Sequence, residues 1–153
     1  MEDSLIAITN NDTRKHILQV STFVNKFVSA LLYRAANHDV SKLQEPEVET
    51  FAEYTARLKD TKYGTEEYNK CLAAMKPALD HHYSTNRHHP EHFKNGIEDM
   101  NLVDLIEMFC DWKAASMRQN DGNLELSIEK NQDRFKMPRE LGKIFKNTIS
   151  VLE

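Results

Sequence analysis

The histidines of this 153-residue chain are grouped in a way that can bind metal ions. His16 stands alone, and His38 is followed directly by Asp39. The other five histidines form a cluster: His81, His82, His88, His89 and His92. A single histidine is more often a surface or hydrogen-bonded core residue than a ligand, so the joint arrangement carries the prediction. Imidazole and carboxylate ligands suit zinc, iron, manganese or cobalt, and without thiolates the site need not be specific for zinc.

The His38-Asp39 doublet restricts the geometry of such a site. Neighbouring residues on a helix point about 100° apart, so both side chains reach one ion only from a bent or terminal segment. Alternatively the two side chains reach two neighbouring ions, with Asp39 between them. We therefore expect the doublet at the end of a helix, and one or two ions beside it.

The elements that position these residues are predicted to be helical throughout. Apolar residues at helical spacing predict a first helix over residues 11–36, with an N-cap at Asn11, Asp12 or Thr13. Further helices are predicted over 46–59, after a Thr65 cap, over 101–118, over 124–135 and from Pro138. Pro77 should kink or break the helix that Thr65 caps. The fold class predicted is all-α, with about five to seven helices.

Composition excludes several classes of function. The four glycines are too widely spaced for a P-loop or a Rossmann fingerprint. A net charge of −4 and a pI near 6.0 argue against a nucleic-acid-binding surface. Two cysteines without a CxxC motif suit a reducing compartment, and the acidic N-terminus does not read as a signal peptide. We therefore expect a cytoplasmic protein that does not enter membranes.

Three segments, residues 35–42 (AANHDVSK), 14–20 and 109–116, together resemble the HD-domain superfamily of metal-dependent phosphohydrolases. Residues 35–42 (AANHDVSK) are similar to its LLHDIGK signature, with Ser41 in place of the glycine. Residues 14–20 resemble the preceding motif that carries a first histidine, here His16. Residues 109–116 resemble the late ADxLxA motif, which makes Asp111 the last ligand. The resemblance implies one compact HD-domain-like bundle over 1–153, with its metal-site core at about 13–118 and C-terminal helices at 124–152.

The histidine cluster resembles a second, narrower pattern. Residues 81–92 (HHYSTNRHHPEH) are similar to the histidine-rich core of a small family of uncharacterised bacterial and phage proteins. In HD-superfamily members with two metals, further histidines before the last aspartate bind the second ion. That resemblance makes His82 and His88 predicted ligands, with His89 as an alternative ligand or as a catalytic group.

Three cations near these motifs have both a functional and a structural interpretation. Lys42 matches the signature lysine and can lie near a substrate phosphate, or can be a solvated residue at a helix end. Arg87 can bind a phosphate with its planar guanidinium, or can pair with Glu91 or Asp80. Arg118 can reach the mouth of the pocket, although a cation at a helix C-terminus is the simpler interpretation.

Two acidic residues on the helix that carries Asp111 also have two interpretations. Asp104 follows Asn101 by three positions, which favours a role in starting the helix over a role in the site. Glu107 lies one turn before Asp111, where it can orient a ligand histidine or be exposed.

The resemblance implies a metal-dependent phosphohydrolase that acts on a small phosphate ester, with a nucleotide or nucleoside monophosphate as the preferred substrate. One or two divalent ions (Mn, Co, Ni, Zn or Fe) would activate water and polarise the phosphoryl group. Lys42, Arg87 and a histidine that is not a ligand would neutralise charge on that group. Two alternatives remain: a di-iron oxygenase of the HD type, and a metal-stabilised binding module without catalysis. Homo-oligomerisation is left open.

Overall fold

The computed structural model describes residues 2–61, 65–118 and 122–153. Every regular element in these ranges is helical, which confirms the predicted all-α class. The α-helices in these ranges are α1 (Glu2–Asn37), α2 (Val48–Asp60), α3 (Glu66–Thr85), α4 (Leu102–Ser116), α5 (Leu124–Arg134) and α6 (Arg139–Thr148). Short 3-10 turns lie at Val40–Leu43, Pro90–His92, Gly96–Asp99 and Ile149–Val151. The chain divides into two compact units, Met1–Asn37 and His38–Glu153.

The first unit consists of α1, a helix of 36 residues that is about 54 Å long at 1.5 Å per residue. The predicted start at residues 11–13 is wrong, because the helix begins at Glu2 and continues through them. Thr13 does not cap the helix: its hydroxyl donates a hydrogen bond to the Thr9 carbonyl, one turn back, at 2.9 Å. Neither α1 nor any other helix in the described ranges has the length and apolar character needed to cross a membrane.

In the second unit, α3 carries the first two clustered histidines. Its predicted N-cap is confirmed, since the Thr65 hydroxyl accepts a hydrogen bond from the Tyr68 amide at 3.3 Å. Pro77 lies inside the helix without ending it, and α3 continues to Thr85. His81 and His82 therefore lie in the closing turns of a regular helix.

Helix α4 begins at a capping box. The Asn101 side chain accepts hydrogen bonds from the amides of Val103 and Asp104, at 2.9 and 3.0 Å. In return the Asp104 carboxylate accepts from the Asn101 amide at 3.1 Å. The predicted role of Asp104 in starting the helix is thereby confirmed. This start places Glu107 and Asp111 on successive turns of α4.

Replacement of Asn101 by alanine is expected to lower the free energy of unfolding by about 1 kcal/mol, because two amides at the helix start lose their acceptor. Urea denaturation of the purified variant measures this change. Asn101→Asp retains the capping oxygen and is the matched control, with stability close to that of the wild type. An Asn101→Ala protein as stable as Asn101→Asp would contradict the structural role of the cap.

A hydrophobic core joins α4, α5 and α6. Its buried residues are all apolar and come from these three helices and the adjoining turns: Ile97, Met108, Phe109, Trp112, Leu124, Ile128, Met137 and Phe145. Phe145 stacks on Phe109 with ring centroids 5.1 Å apart, and Trp112 meets it edge-on at 5.7 Å. Because this core fixes α4, it also fixes the position of the acidic residues that α4 carries.

Candidate metal centre

The His38-Asp39 doublet lies where the chain leaves its first helix, as the sequence predicts. Helix α1 ends at Asn37, and Asp39 adopts a left-handed conformation with φ of 58° before the 3-10 turn. Aspartate tolerates this conformation better than most residues that carry a Cβ atom. The His38 Nε2 and Asp39 Oδ2 atoms come within 3.7 Å of each other. The turn therefore brings two adjacent side chains to one region.

Asp39 is surrounded by three of the clustered histidines. Its Oδ1 atom lies 3.3 Å from His82 Nε2 and 3.5 Å from His88 Nε2. His82 Nε2 and His89 Nε2 are 2.9 Å apart. An ion about 2.1 Å from each ligand atom separates neighbouring ligands by about 3.0 Å in octahedral and about 3.4 Å in tetrahedral geometry. The four side chains therefore have the spacing of a metal-binding group.

Two atoms of this group are buried without a hydrogen-bond partner among the described residues: Asp39 Oδ1 and His88 Nε2. They face each other at 3.5 Å. A buried polar atom left without a partner costs about 1–3 kcal/mol. A cation bound between the carboxylate oxygen and the imidazole nitrogen satisfies both atoms. The residues present therefore fit a metal ion.

A second group shares Asp39. His38 Nε2 lies 3.7 Å from Asp39 Oδ2 and 3.7 Å from Asp111 Oδ1. Asp39 thus turns Oδ1 toward the three clustered histidines and Oδ2 toward His38 and Asp111, which is the geometry of a carboxylate between two cation sites. Lys42 Nζ lies 2.6 Å from the same Oδ2 atom. Lys42 and a cation in the second group therefore compete for that oxygen.

Glu107 lies behind both groups. Its Oε1 atom is 2.9 Å from His38 Nδ1 and 3.2 Å from His88 Nδ1. A carboxylate that accepts an Nδ1–H hydrogen bond fixes the tautomer and leaves the Nε2 lone pair for a metal. The same three residues also have ligand spacing, but the Nδ1 contacts favour Glu107 as an acceptor. Of its two predicted interpretations, the structure favours the one in which Glu107 orients ligand histidines.

Glu47, which the sequence does not single out, plays the same part for His82. It is fully buried, and its Oε2 atom lies 2.9 Å from His82 Nδ1. Its Oε1 atom lies 2.7 Å from His81 Nδ1. Ser41, which replaces the glycine of the HD signature, donates its hydroxyl to Glu47 Oε2 at 3.0 Å. Glu47 therefore holds one histidine that faces the site and one, His81, that is partly exposed.

The two aspartates are held in their ionised forms. Burial opposes ionisation of Asp39, but the neighbouring His82 and Lys42 side chains outweigh it and hold the pKa of Asp39 well below its usual range. Burial also opposes ionisation of Asp111, and the nearby imidazole of His38 again lowers the pKa of the carboxyl overall. Both carboxylates are therefore negatively charged at neutral pH, as cation binding requires.

The histidines differ in charge. The carboxylates of Asp111 and Glu107 raise the pKa of His38 to about 10, against the effect of its burial. Burial and the neighbouring His88 lower the pKa of His89 to about 3. His89 is therefore neutral, with a lone pair available, whereas without a metal His38 carries a proton in the position facing Asp39 and Asp111. That proton balances part of the negative charge of the site.

The predicted metal ligands fall into two sets. His38, Asp39, His82, His88 and Asp111 come together in the groups described above, and His89 joins them. His16 lies on α1, in the other unit, and is not in any of the metal-ligating groups that the described residues form. Its role as a ligand stays a prediction. His92 donates from Nδ1 to the Tyr83 carbonyl at 3.1 Å and belongs to none of these groups either.

The three predicted substrate-binding cations lie in different surroundings. Lys42 contacts Asp39 directly, and its ammonium also lies 5.2 Å from the centre of the Phe51 ring. Arg87 donates to both oxygens of buried Asp104, at 3.1 and 2.9 Å, rather than pairing with either predicted carboxylate. Arg118 is exposed just beyond the end of α4. Lys42 is therefore the one of the three that directly contacts the candidate ligand set.

Comparisons with known proteins give a family and no function. A search of curated proteins finds no significant match. A search of solved structures finds none either. Residues 6–153 match a family described as "Family of unknown function (DUF5662)". That range contains every residue of the candidate metal centre, and the chain belongs to the DUF5662 family.

Proposed function

We propose that this protein is a metal-dependent phosphohydrolase that acts on a small phosphate ester. The observation that carries the proposal is the position of Asp39 between two ligand groups, with one of its oxygens buried and unpartnered. The resemblance to HD-domain phosphohydrolases supports it, because His38, Asp39 and Asp111 match the motifs of that superfamily. The nucleotide substrate that the amino-acid sequence led us to expect remains a prediction.

The residues of the chain have distinct parts in this proposal. Asp39, His82, His88 and His89 would hold one divalent ion, and His38, Asp39 and Asp111 offer a second position. When bound, such ions polarise the phosphoryl oxygens and bring the pKa of a coordinated water from ~15.7 to roughly 7. Lys42, 2.6 Å from Asp39, places a positive charge beside the reacting phosphate. The water oxygen bonds to phosphorus and the ester P–O bond breaks. The departing alcohol oxygen receives the proton that the attacking water loses.

The buried carboxylates behind the ligands support this reaction indirectly. Glu107 accepts from His38 Nδ1, and Glu47 accepts from His82 Nδ1. Glu107 Oε1 also lies 3.2 Å from His88 Nδ1. The imidazole rings are thereby fixed with Nε2 toward the ions before a substrate arrives. A site whose ligands are already oriented needs little reorganisation during the reaction, which is the main source of electrostatic stabilisation in enzymes.

The ligand set also favours one second candidate. Four imidazoles (His38, His82, His88 and His89) and two carboxylates (Asp39 and Asp111) lie in adjoining groups, and this donor set suits a pair of irons. A di-iron oxygenase would therefore use the same residues. The bound element separates the two candidates, because oxygenation requires iron and consumes O2.

The test is phosphate release by protein reconstituted separately with Mn²⁺, Co²⁺, Ni²⁺, Zn²⁺ or Fe²⁺. The panel contains p-nitrophenyl phosphate and nucleoside monophosphates, and bound metal is measured for each sample. We expect metal-dependent phosphate release that a chelator abolishes. Protein with bound metal that releases no phosphate from any compound would contradict the proposal. Iron-dependent O2 consumption in the same samples would favour the oxygenase.

A further inference from the structure

A cleft of about 220 Å³ adjoins the metal centre. Three of the candidate ligands line one side of it: His88, His89 and Asp111. The other side is formed by α5, through Ser127 and Asn131. The cleft therefore starts at the ligand groups and extends away from them, toward a helix that contributes no ligand.

The lining has the chemistry of a site for a planar group. Tyr83, Trp112 and Phe135 contribute aromatic surface. Ser127 and Asn131 lie one turn apart on α5 and bring a hydroxyl and an amide to the same wall. The lining thus combines aromatic walls with polar groups that can fix the orientation of a bound molecule. An aromatic ring with a polar substituent matches this combination.

The rim of the cleft is tied by an ion pair. Arg134, at the end of α5, donates to Glu91 Oε1 at 2.7 Å. Glu91 belongs to the turn Pro90–His92, and both Pro90 and Arg134 line the cleft. This contact joins α5 to the turn that carries Glu91, across the rim of the cleft.

The volume limits what the cleft can hold. A cavity of roughly 150 Å³ accommodates benzene, so a cleft of about 220 Å³ has room for one ring with small substituents. A nucleoside contains a base and a sugar, which need considerably more space than one ring. The part of a substrate that the cleft encloses is therefore better matched in size by a single ring than by a base and a sugar together.

We propose that this cleft binds the leaving group of the substrate and selects phosphate monoesters of a single planar ring. The inference rests on the proposed function, since the phosphate end is assigned to the neighbouring metal centre. The ring lies against Tyr83, Trp112 and Phe135, while Ser127 and Asn131 hydrogen-bond its polar edge.

Ala115 provides a direct way to block the cleft. It lines the cleft and lies on α4, one turn after Asp111. Ala115→Leu places a larger side chain in the cleft while retaining a residue that favours helix. Ala114→Leu is the matched control, because Ala114 is exposed on the same helix and does not line the cleft. Ser127→Leu blocks the cleft from the opposite wall and serves as a second variant.

The experiment measures binding of phosphonates, whose C–P bond is not an ester and is not hydrolysed. Metal-loaded protein is titrated with phenylphosphonate and with methylphosphonate by calorimetry, and bound metal is measured in every sample. In the wild type we expect phenylphosphonate to bind about 10- to 100-fold more tightly, as burial of one aromatic ring predicts. Ala115→Leu and Ser127→Leu should abolish this preference without loss of metal, and Ala114→Leu should keep it.

Three results would overturn the inference. They are equal affinity of metal-loaded wild type for the two phosphonates, a full preference in both blocked variants, and tighter binding of adenosine monophosphate than of phenylphosphonate. A ring preference that the blocked variants lose, in a protein that releases no phosphate, would leave the cleft assignment standing and contradict the phosphohydrolase proposal alone. The two failures are therefore distinguishable.

Discussion

Replacement of both His38 and Asp39 by alanine is expected to remove bound metal and to lower phosphate release by at least about 1000-fold. The loss of even one group that stabilises a transition state lowers the rate by about 100- to 1000-fold. Asp39 belongs to both candidate ion positions, and His38 belongs to the second. No other single residue contributes an oxygen to both positions in the groups that the described residues form.

The double variant is expected to keep its fold. Neither residue belongs to the hydrophobic core that joins α4, α5 and α6. Circular dichroism and thermal unfolding of the metal-free proteins check this point. His92→Ala is the matched control, because His92 belongs to the same cluster but contacts the Tyr83 carbonyl instead of a ligand group. A folded double variant with wild-type activity would refute the assignment of the ligands.

Glu47→Gln is expected to weaken metal binding by about 10- to 100-fold, the usual effect of changing a residue that orients a ligand. Glu47 accepts from Nδ1 of both His81 and His82. A glutamine has one side-chain oxygen for these two N–H donors. Its NH2 group therefore faces the Nδ1–H of the second histidine, and two donors meet. If His82 moves its proton to Nε2 to relieve this conflict, the nitrogen that faces the ion loses its lone pair.

Competition with a chromophoric chelator measures this change in affinity. Glu49→Gln is the matched control, since Glu49 is exposed on α2 and makes the same change in charge. Affinity in Glu47→Gln equal to that of Glu49→Gln would show that Glu47 does not orient the ligand.

Local sequence signals predicted most of the helices. Thr65 and Asn101 are caps in the structure, because each carries a side-chain oxygen next to an apolar helical pattern. The start of α1 was not predictable in this way. Residues 9–13 are polar and have the composition of a cap, but the Thr13 hydroxyl is satisfied by a carbonyl within the helix. A hydroxyl that donates to a carbonyl one turn earlier in the same helix does not mark the start of that helix.

The ligands were predictable because their residue types are uncommon and clustered, whereas the residues that support them were not. Glu47 is one of several glutamates in a short stretch, and its partners His81 and His82 lie more than 30 residues away. The guanidinium group of Arg87 suits phosphate, yet in the structure it is hydrogen-bonded to Asp104, 17 residues away. Such assignments depend on tertiary contacts, which no local pattern encodes.

The most direct test of the metal centre is elemental analysis of the purified protein before any chelator is used, with the His38→Ala/Asp39→Ala variant measured beside it. We predict one or two transition-metal ions per wild-type chain and none in the variant. The element found then directs the next assay, with an iron pair leading to O2 consumption and manganese, cobalt, nickel or zinc to phosphate release. Absence of metal from the wild-type protein, even after reconstitution, would contradict the account.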